Sequence, residues 1–78
     1  MRIKELRRIV TFHTTTEAMA FEEAAKQAGL DGRLIPVPPA MTAGCGMAWS
    51  GNPDSAAALM QMIGDRELSY DRTRELVV

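Results

Sequence analysis

The chain has a single cysteine, no excess of basic residues and no long apolar run, and each of these features excludes a class of protein. One cysteine cannot form an internal disulfide or supply a four-cysteine metal site. The formal net charge is −1, so no basic excess favours nucleic acid or an anionic membrane as a partner. No apolar run approaches the roughly 20 residues that cross a bilayer. We therefore expect a protein of a reducing bacterial cytoplasm, with no metal and no cofactor.

The length of 78 residues suits one small domain. We expect this domain to span residues 1–78, with residues 1–7 as a frayed N-terminus and residues 72–78 either extended or frayed. The first eight residues alternate charged and aliphatic side chains and lack an apolar segment, so we expect no targeting sequence.

Local patterns predict four strands and two helices. Thr14 and Glu17 have the spacing of a capping box, which predicts a helix over 15–28. Asn52 and Pro53 predict the start of a second helix over 53–63 that ends at Gly64. Apolar, β-branched and aromatic runs predict strands over 8–12, 32–37, 46–49 and, more weakly, 68–71 with an extension toward Leu76. The residues predicted to face inward are Ala18, Phe21, Ala25 and Ala28 in the first helix and Ala56, Leu59, Met60 and Ile63 in the second.

The element order β-α-β-β-α-β predicts a ferredoxin-like α+β fold, in which both helices cover one face of a four-stranded sheet. Right-handed crossovers would place the third strand between the first and second, and the fourth beside the first. Pro36 has no N–H to donate, so we expect the second strand at an edge.

The loop between the second and third strands contains the only cysteine. Gly44 and Gly46 flank Cys45, and glycine leaves the thiol uncovered and permits unusual backbone angles. The predicted topology brings the start of the first helix beside this loop. Helix amides and a nearby cation lower the pKa of a thiol and favour a nucleophilic or sulfur-carrying cysteine. The candidate site residues are Cys45 as the reactive group, with Gly44, Gly46, His13, Thr14 and Thr15 in support.

Simpler interpretations of these residues stay open. Free cysteine is among the most buried residue types, so Cys45 could be packing. His13 could be a solvated loop residue, and the threonines could act only as helix caps. Metal binding by Cys45 and His13 across a dimer lacks the spacing of a zinc site.

The segments 32–38 and 42–48, GRLIPVP and TAGCGMA, resemble the small bacterial family called putative Se/S carrier protein-like. The resemblance covers about residues 9–70. It implies that Cys45 carries sulfur or selenium as a persulfide or perselenide, between flanking Gly44 and Gly46, with Arg33 at the start of the preceding strand. Where family members often have basic residues, this chain has 39–40, PA, and 49–50, WS.

Two functions follow as hypotheses. One is a chalcogen carrier, rather than a stand-alone catalyst, with sulfur or selenium donor and acceptor proteins as partners. The other is a non-enzymatic binding or regulatory module that forms a homodimer through its open sheet face. Candidate surface residues for that dimer are Ile9, Thr11, Met47 and Trp49.

Overall fold

The computed structural model describes residues 5–39, 41 and 46–77. Its elements follow the predicted βαββαβ order. They are β1 Leu6–Thr11, α1 Thr15–Gln27, β2 Gly32–Pro36, β3 Met47–Gly51, a 3-10 turn Pro53–Ser55, α2 Ala56–Arg66 and β4 Arg72–Val77.

The four strands form one sheet in the order β2-β3-β1-β4, and all neighbours are antiparallel. The predicted α+β ferredoxin-like arrangement is confirmed, as is the edge position of the strand that contains Pro36. Leu6 pairs with Val77 and Arg7 with Leu76, so the described ends of the chain extend the sheet. Residues 72–77 are extended as β4, and Val78 of the predicted 72–78 segment lies outside the described residues.

The segment predicted as the fourth strand, 68–71, is not a strand. The Leu68 amide donates to the Ile63 carbonyl at 3.1 Å, and the Glu67 amide donates to the Gly64 carbonyl at 3.4 Å. Glu67 has the left-handed φ of 52°. These bonds form the Schellman pattern that ends α2. Leu68 is thus part of a helix end, and pairing with β1 begins only at Arg72.

Both helices differ in detail from the prediction. Helix α1 ends at Gln27, and its buried residues are Ala18, Phe21, Ala24 and Ala25. Ala28 follows the helix as an exposed residue, so its predicted inward position is wrong. In α2, Gly64 lies inside the helix, and Met60 is 49% exposed while Met62 is buried. Leu59, Met62 and Ile63 have the i, i+3, i+4 spacing of the face that packs inward.

The helix side of the sheet carries the larger core. Phe21 of α1 lies between Phe12 and Trp49, with ring centroids 5.2 Å and 5.4 Å apart. Val10 and Leu59 belong to the same buried cluster, so both helices cover the same face, as predicted. A second cluster packs on the opposite side of the sheet, where strand alternation places Ile9 and Ala48. Its third member is Met41, from the β2–β3 connection.

The proposed dimer surface is wrong for three of its four residues. Ile9 and Thr11 are fully buried, and Trp49 is 1% exposed. Val10 pairs with Trp49, so Trp49 points to the helix side, whereas Ile9 and Thr11 alternate to the other side. Met47 is half-buried. These four residues therefore do not form one open surface.

Candidate functional site

The structure describes four of the six predicted site residues: His13, Thr14, Thr15 and Gly46. Gly44 and Cys45 lie outside the described residues. The surroundings of the cysteine thiol therefore remain a prediction.

Gly46 begins the return of the chain into the sheet. Its φ is +74°, a left-handed conformation that residues with a side chain rarely adopt. Its carbonyl accepts a hydrogen bond from the Val37 amide at 3.0 Å, one residue beyond the last paired residues of β2 and β3. The residue that follows Cys45 is thus fixed to the neighbouring strand in a conformation that favours glycine.

The register of the sheet relates this point to the start of α1. Thr11 pairs with Ala48 in the last pair between β1 and β3. Continuing an antiparallel register by two residues would set His13 level with Gly46. The expected closeness of His13 to Cys45 stays a prediction.

The start of α1 has the predicted cap with one difference. Thr14 Oγ1 accepts a hydrogen bond from the Glu17 amide at 3.2 Å. The Glu17 carboxylate accepts one from the His13 amide at 2.8 Å, whereas the standard capping box returns to the cap residue itself. The amides of Thr15 and Thr16 have no acceptor among the residues that the structure describes. Two donors at the positive end of α1 are thus unpaired within the part of the chain that the structure describes.

The His13 ring lies between two carboxylates. Its Nδ1 is 3.1 Å from Glu17 Oε1, and its Nε2 is 3.5 Å from Asp71 Oδ1. The side chain is 60% exposed. Both ring nitrogens thus have carboxylate partners. These two carboxylates would compete with a thiolate for the His13 ring.

The pKa of the Glu17 carboxyl is lowered, mainly because the His13 backbone amide donates to it. Partial burial acts in the opposite direction, and the His13 ring and the Thr14 amide add smaller lowering effects. An ionised Glu17 in the first turn stabilises the helix start. It also repels a second anion there, which weakens the predicted attraction of a thiolate to this end of α1.

Sequence reasoning missed Asp71, which joins this region to β4. The Asp71 amide donates to the Thr11 carbonyl at 2.7 Å, and the Arg72 amide donates to Thr11 Oγ1 at 3.2 Å. These bonds hold the segment before β4 against the end of β1. Thr11 and Asp71 lie 60 residues apart. No local pattern could have paired them.

Two kinds of site are absent from the described ranges, a clustered metal site and a membrane-spanning helix. No group of three or more His, Cys, Asp or Glu side chains there could hold a metal ion. None of the described helices has the length and apolar character needed to span a membrane.

Comparison with known proteins relates the chain to a described family. The family model described as Putative Se/S carrier protein-like matches residues 7–74, which is most of the chain and includes the loop with Cys45. No curated protein and no solved structure matches.

Proposed function

Since the chain belongs to the Putative Se/S carrier protein-like family, we propose that it carries sulfur or selenium on Cys45 as a persulfide or perselenide. The family match, which spans residues 7–74, is the observation that carries this proposal. A covalent chalcogen carrier needs a nucleophilic atom, and Cys45 is the only thiol in the chain.

Loading would proceed by exchange with a persulfide donor, R–S–SH. The Cys45 thiolate attacks the outer sulfur, a bond forms between Sγ and that sulfur, and the S–S bond of the donor breaks. The products are Cys45–S–SH and the donor thiolate R–S⁻. The reaction needs no added oxidant or reductant, because the sulfur moves between two thiolates in the same oxidation state. A perselenide forms in the same way from R–S–SeH.

Delivery reverses the roles. A nucleophile of an acceptor protein attacks the terminal sulfur or selenium, and Cys45 leaves as a thiolate. We propose that the donor and acceptor are proteins and that the exchange occurs in a bacterial cytoplasm, because a reducing compartment keeps an isolated thiol free.

Features on either side of the loop support this role. Gly46 has no side chain, so it would not obstruct the approach of a donor to Cys45, and its left-handed φ favours glycine at this position. The unbonded amides of Thr15 and Thr16 could donate to a sulfur anion if Cys45 lies at the predicted place. In the proposal, Thr14 shapes this end of α1 as its cap, and His13 orients the Glu17 carboxylate.

Mass spectrometry of the intact protein tests the proposal. We expect the protein to gain the mass of one sulfur atom after incubation with a small-molecule persulfide, and to lose it with dithiothreitol. Cys45→Ala and Cys45→Ser should gain nothing. Absence of an adduct on the wild-type chain, or an adduct that persists in Cys45→Ala, would contradict the proposal.

Two glycines offer a matched test of the loop. Gly29 and Gly46 have φ values of +75° and +74°, and a Cβ added at either would meet no atom within 4 Å. Alanine at either position should therefore cost about 1 kcal/mol of stability from backbone strain. We expect only Gly46→Ala to slow the loading of Cys45. Equal loading rates in the two variants would remove Gly46 from the site.

A further inference from the structure

The helix-free side of the sheet carries four arginines. In one row across the strands, Arg33 pairs with Ser50, Ser50 with Ile9, and Ile9 with Arg74. Directly paired residues share a face, so Arg33 and Arg74 lie at the two ends of this row. The row spans three strand spacings, or about 14 Å.

Two further arginines border this row. Arg72 pairs with Thr11, and Thr11 alternates with Ile9 to the same side. Arg7 Nε donates to Ser50 Oγ at 3.4 Å, which places the Arg7 side chain over the same face. We name these four residues, Arg7, Arg33, Arg72 and Arg74, the arginine face.

The charges of the arginine face are weakly compensated. Arg33 and Arg74 are exposed and have no ion-pair partner among the described residues. The carboxylate nearest to Arg72 Nε is that of Asp71 at 3.9 Å, and Arg7 Nη1 is 3.8 Å from Glu5. Long, exposed ion pairs of this kind contribute little.

The acidic residues are mainly on the other side. Within the four strands the only acidic residue is Glu75, which bonds Arg8 at 2.9 Å and alternates to the helix side. The helical layer carries more acids than bases: Glu17, Glu22, Glu23, Asp54 and Asp65 against Lys26 and Arg66. The net charge of −1 therefore conceals a separation of charge between the two sides of the sheet.

We infer that the arginine face docks an acidic segment of a partner protein. Guanidinium groups bind carboxylates through paired hydrogen bonds, and four of them frame this side of the sheet. Met41, from the loop that contains Cys45, packs on the same side against Ile9 and Ala48. Docking would bring the partner to the side on which Met41 packs, four residues before Cys45 in the sequence. That the partner donates or accepts chalcogen rests on the proposed function; the docking does not.

The chemistry of this side favours a protein over a nucleic acid. Single-stranded nucleic acids bind basic surfaces that also offer aromatic rings for base stacking. Phe12, Phe21 and Trp49 are buried in the core on the helix side, and Tyr70 packs against that core. The arginine face thus offers cations without a stacking platform.

Binding of a fluorescent glutamate-rich peptide tests the inference, with a glutamine-rich peptide and a single-stranded oligonucleotide as parallel probes. The double variant Arg33→Gln/Arg74→Gln removes two charges from the face. The matched control Lys26→Gln/Arg66→Gln removes two from the helices. We expect the first variant to bind the acidic peptide about tenfold more weakly, or about 1.4 kcal/mol, and the control to bind like the wild type.

Both variants should unfold at nearly the same urea concentration as the wild type, because the substituted side chains are exposed. Cys45→Ala should bind the peptide normally, which separates failure of docking from failure of the carrier function. The inference is overturned if the acidic peptide does not bind, or if both double variants lose affinity equally. It is also overturned if the oligonucleotide binds more tightly through Arg33 and Arg74, or if these arginines instead hold two copies of the chain together in sedimentation.

Discussion

The two sides of the sheet differ in what they bury and in the charge that they present. The helix side buries three aromatic rings, those of Phe12, Phe21 and Trp49, beneath an acidic helical layer. The other side buries a smaller apolar cluster around Ile9, together with Thr11 and Ser50, and presents arginines. Burial of apolar area is the main source of stability. We conclude that the helix side chiefly holds the fold together, whereas the other side is freer to serve recognition.

Truncation of one side chain on each side gives the largest expected difference. Phe21→Ala should cost about 3–5 kcal/mol because it removes the ring between Phe12 and Trp49. Met41→Ala should cost about 2 kcal/mol, the low end for methionine, because its cluster has few members. Urea denaturation would measure both. Equal losses would show that the two sides contribute alike.

Phe21→Ala could leave the small domain unfolded, so a milder pair keeps the comparison measurable. Leu59→Val on the helix side and Ile9→Val on the other side each remove about one methylene, worth about 1 kcal/mol when buried. Both residues are at most 1% exposed. We expect the larger loss at Leu59, and the opposite order would contradict the division between the two sides.

Features set by neighbours in sequence could be predicted. Thr14 as the cap of α1 depends on Glu17 three residues later, and the edge position of β2 depends on the missing N–H of Pro36. The strand order followed from connection rules, because few topologies satisfy a βαββαβ order. Local chemistry and chain connectivity were therefore sufficient for the architecture.

Features set by long-range packing could not be predicted. The inward face of α2 depends on how its axis meets the sheet. Met60 was predicted to face inward, but Met62 is the buried methionine and Met60 is exposed. The orientation of Trp49 depends on its pairing with Val10. Met41 lies in the connection between β2 and β3, where no local pattern predicts burial, and it contacts the Ile9 cluster only in the folded chain.

The candidate site also combines features set by the local sequence with features set by long-range packing. Glycine at residue 46 permits unusual backbone angles, and its φ of +74° is one of them. His13, which precedes the cap residue Thr14, bonds Glu17 in the first turn of α1. Asp71 reaches His13 only because β4 lies beside β1. The reactivity of Cys45 remains a prediction.

Two glycines give a second, smaller test of packing on the helix side. A Cβ at Gly51 would overlap the Trp49 ring, whereas one at Gly64 in α2 would meet no atom within 4 Å. Gly51→Ala should cost about 1–3 kcal/mol through overpacking. Gly64→Ala should stabilise the protein by about 0.5–1 kcal/mol, because alanine favours a helix over glycine. Thermal unfolding would reveal opposite shifts in Tm, and a tolerated Gly51→Ala would mean that the indole can move aside.

The smallest expected effect is the contribution of Glu17, in the first turn of α1, to the stability of the fold. Because the pKa of Glu17 is lowered in the folded state, its ionised form stabilises the fold. This contribution is present above the pKa of Glu17 in the unfolded chain and is lost as the pH falls through the lower pKa of the folded state. The stability advantage of the wild type over Glu17→Gln should therefore be greatest near neutral pH and shrink in acid.

Thr14→Ala provides the control for this pH dependence. It removes a cap that does not titrate and should cost about 1 kcal/mol at neutral pH, with a cost that persists in acid. Urea denaturation at a series of pH values would compare the two variants with the wild type. An advantage over Glu17→Gln that does not change with pH would mean that the carboxylate acts through shape alone. The bond from the His13 amide would then not depend on the charge of Glu17, and the electrostatic account of this end of α1 would fail.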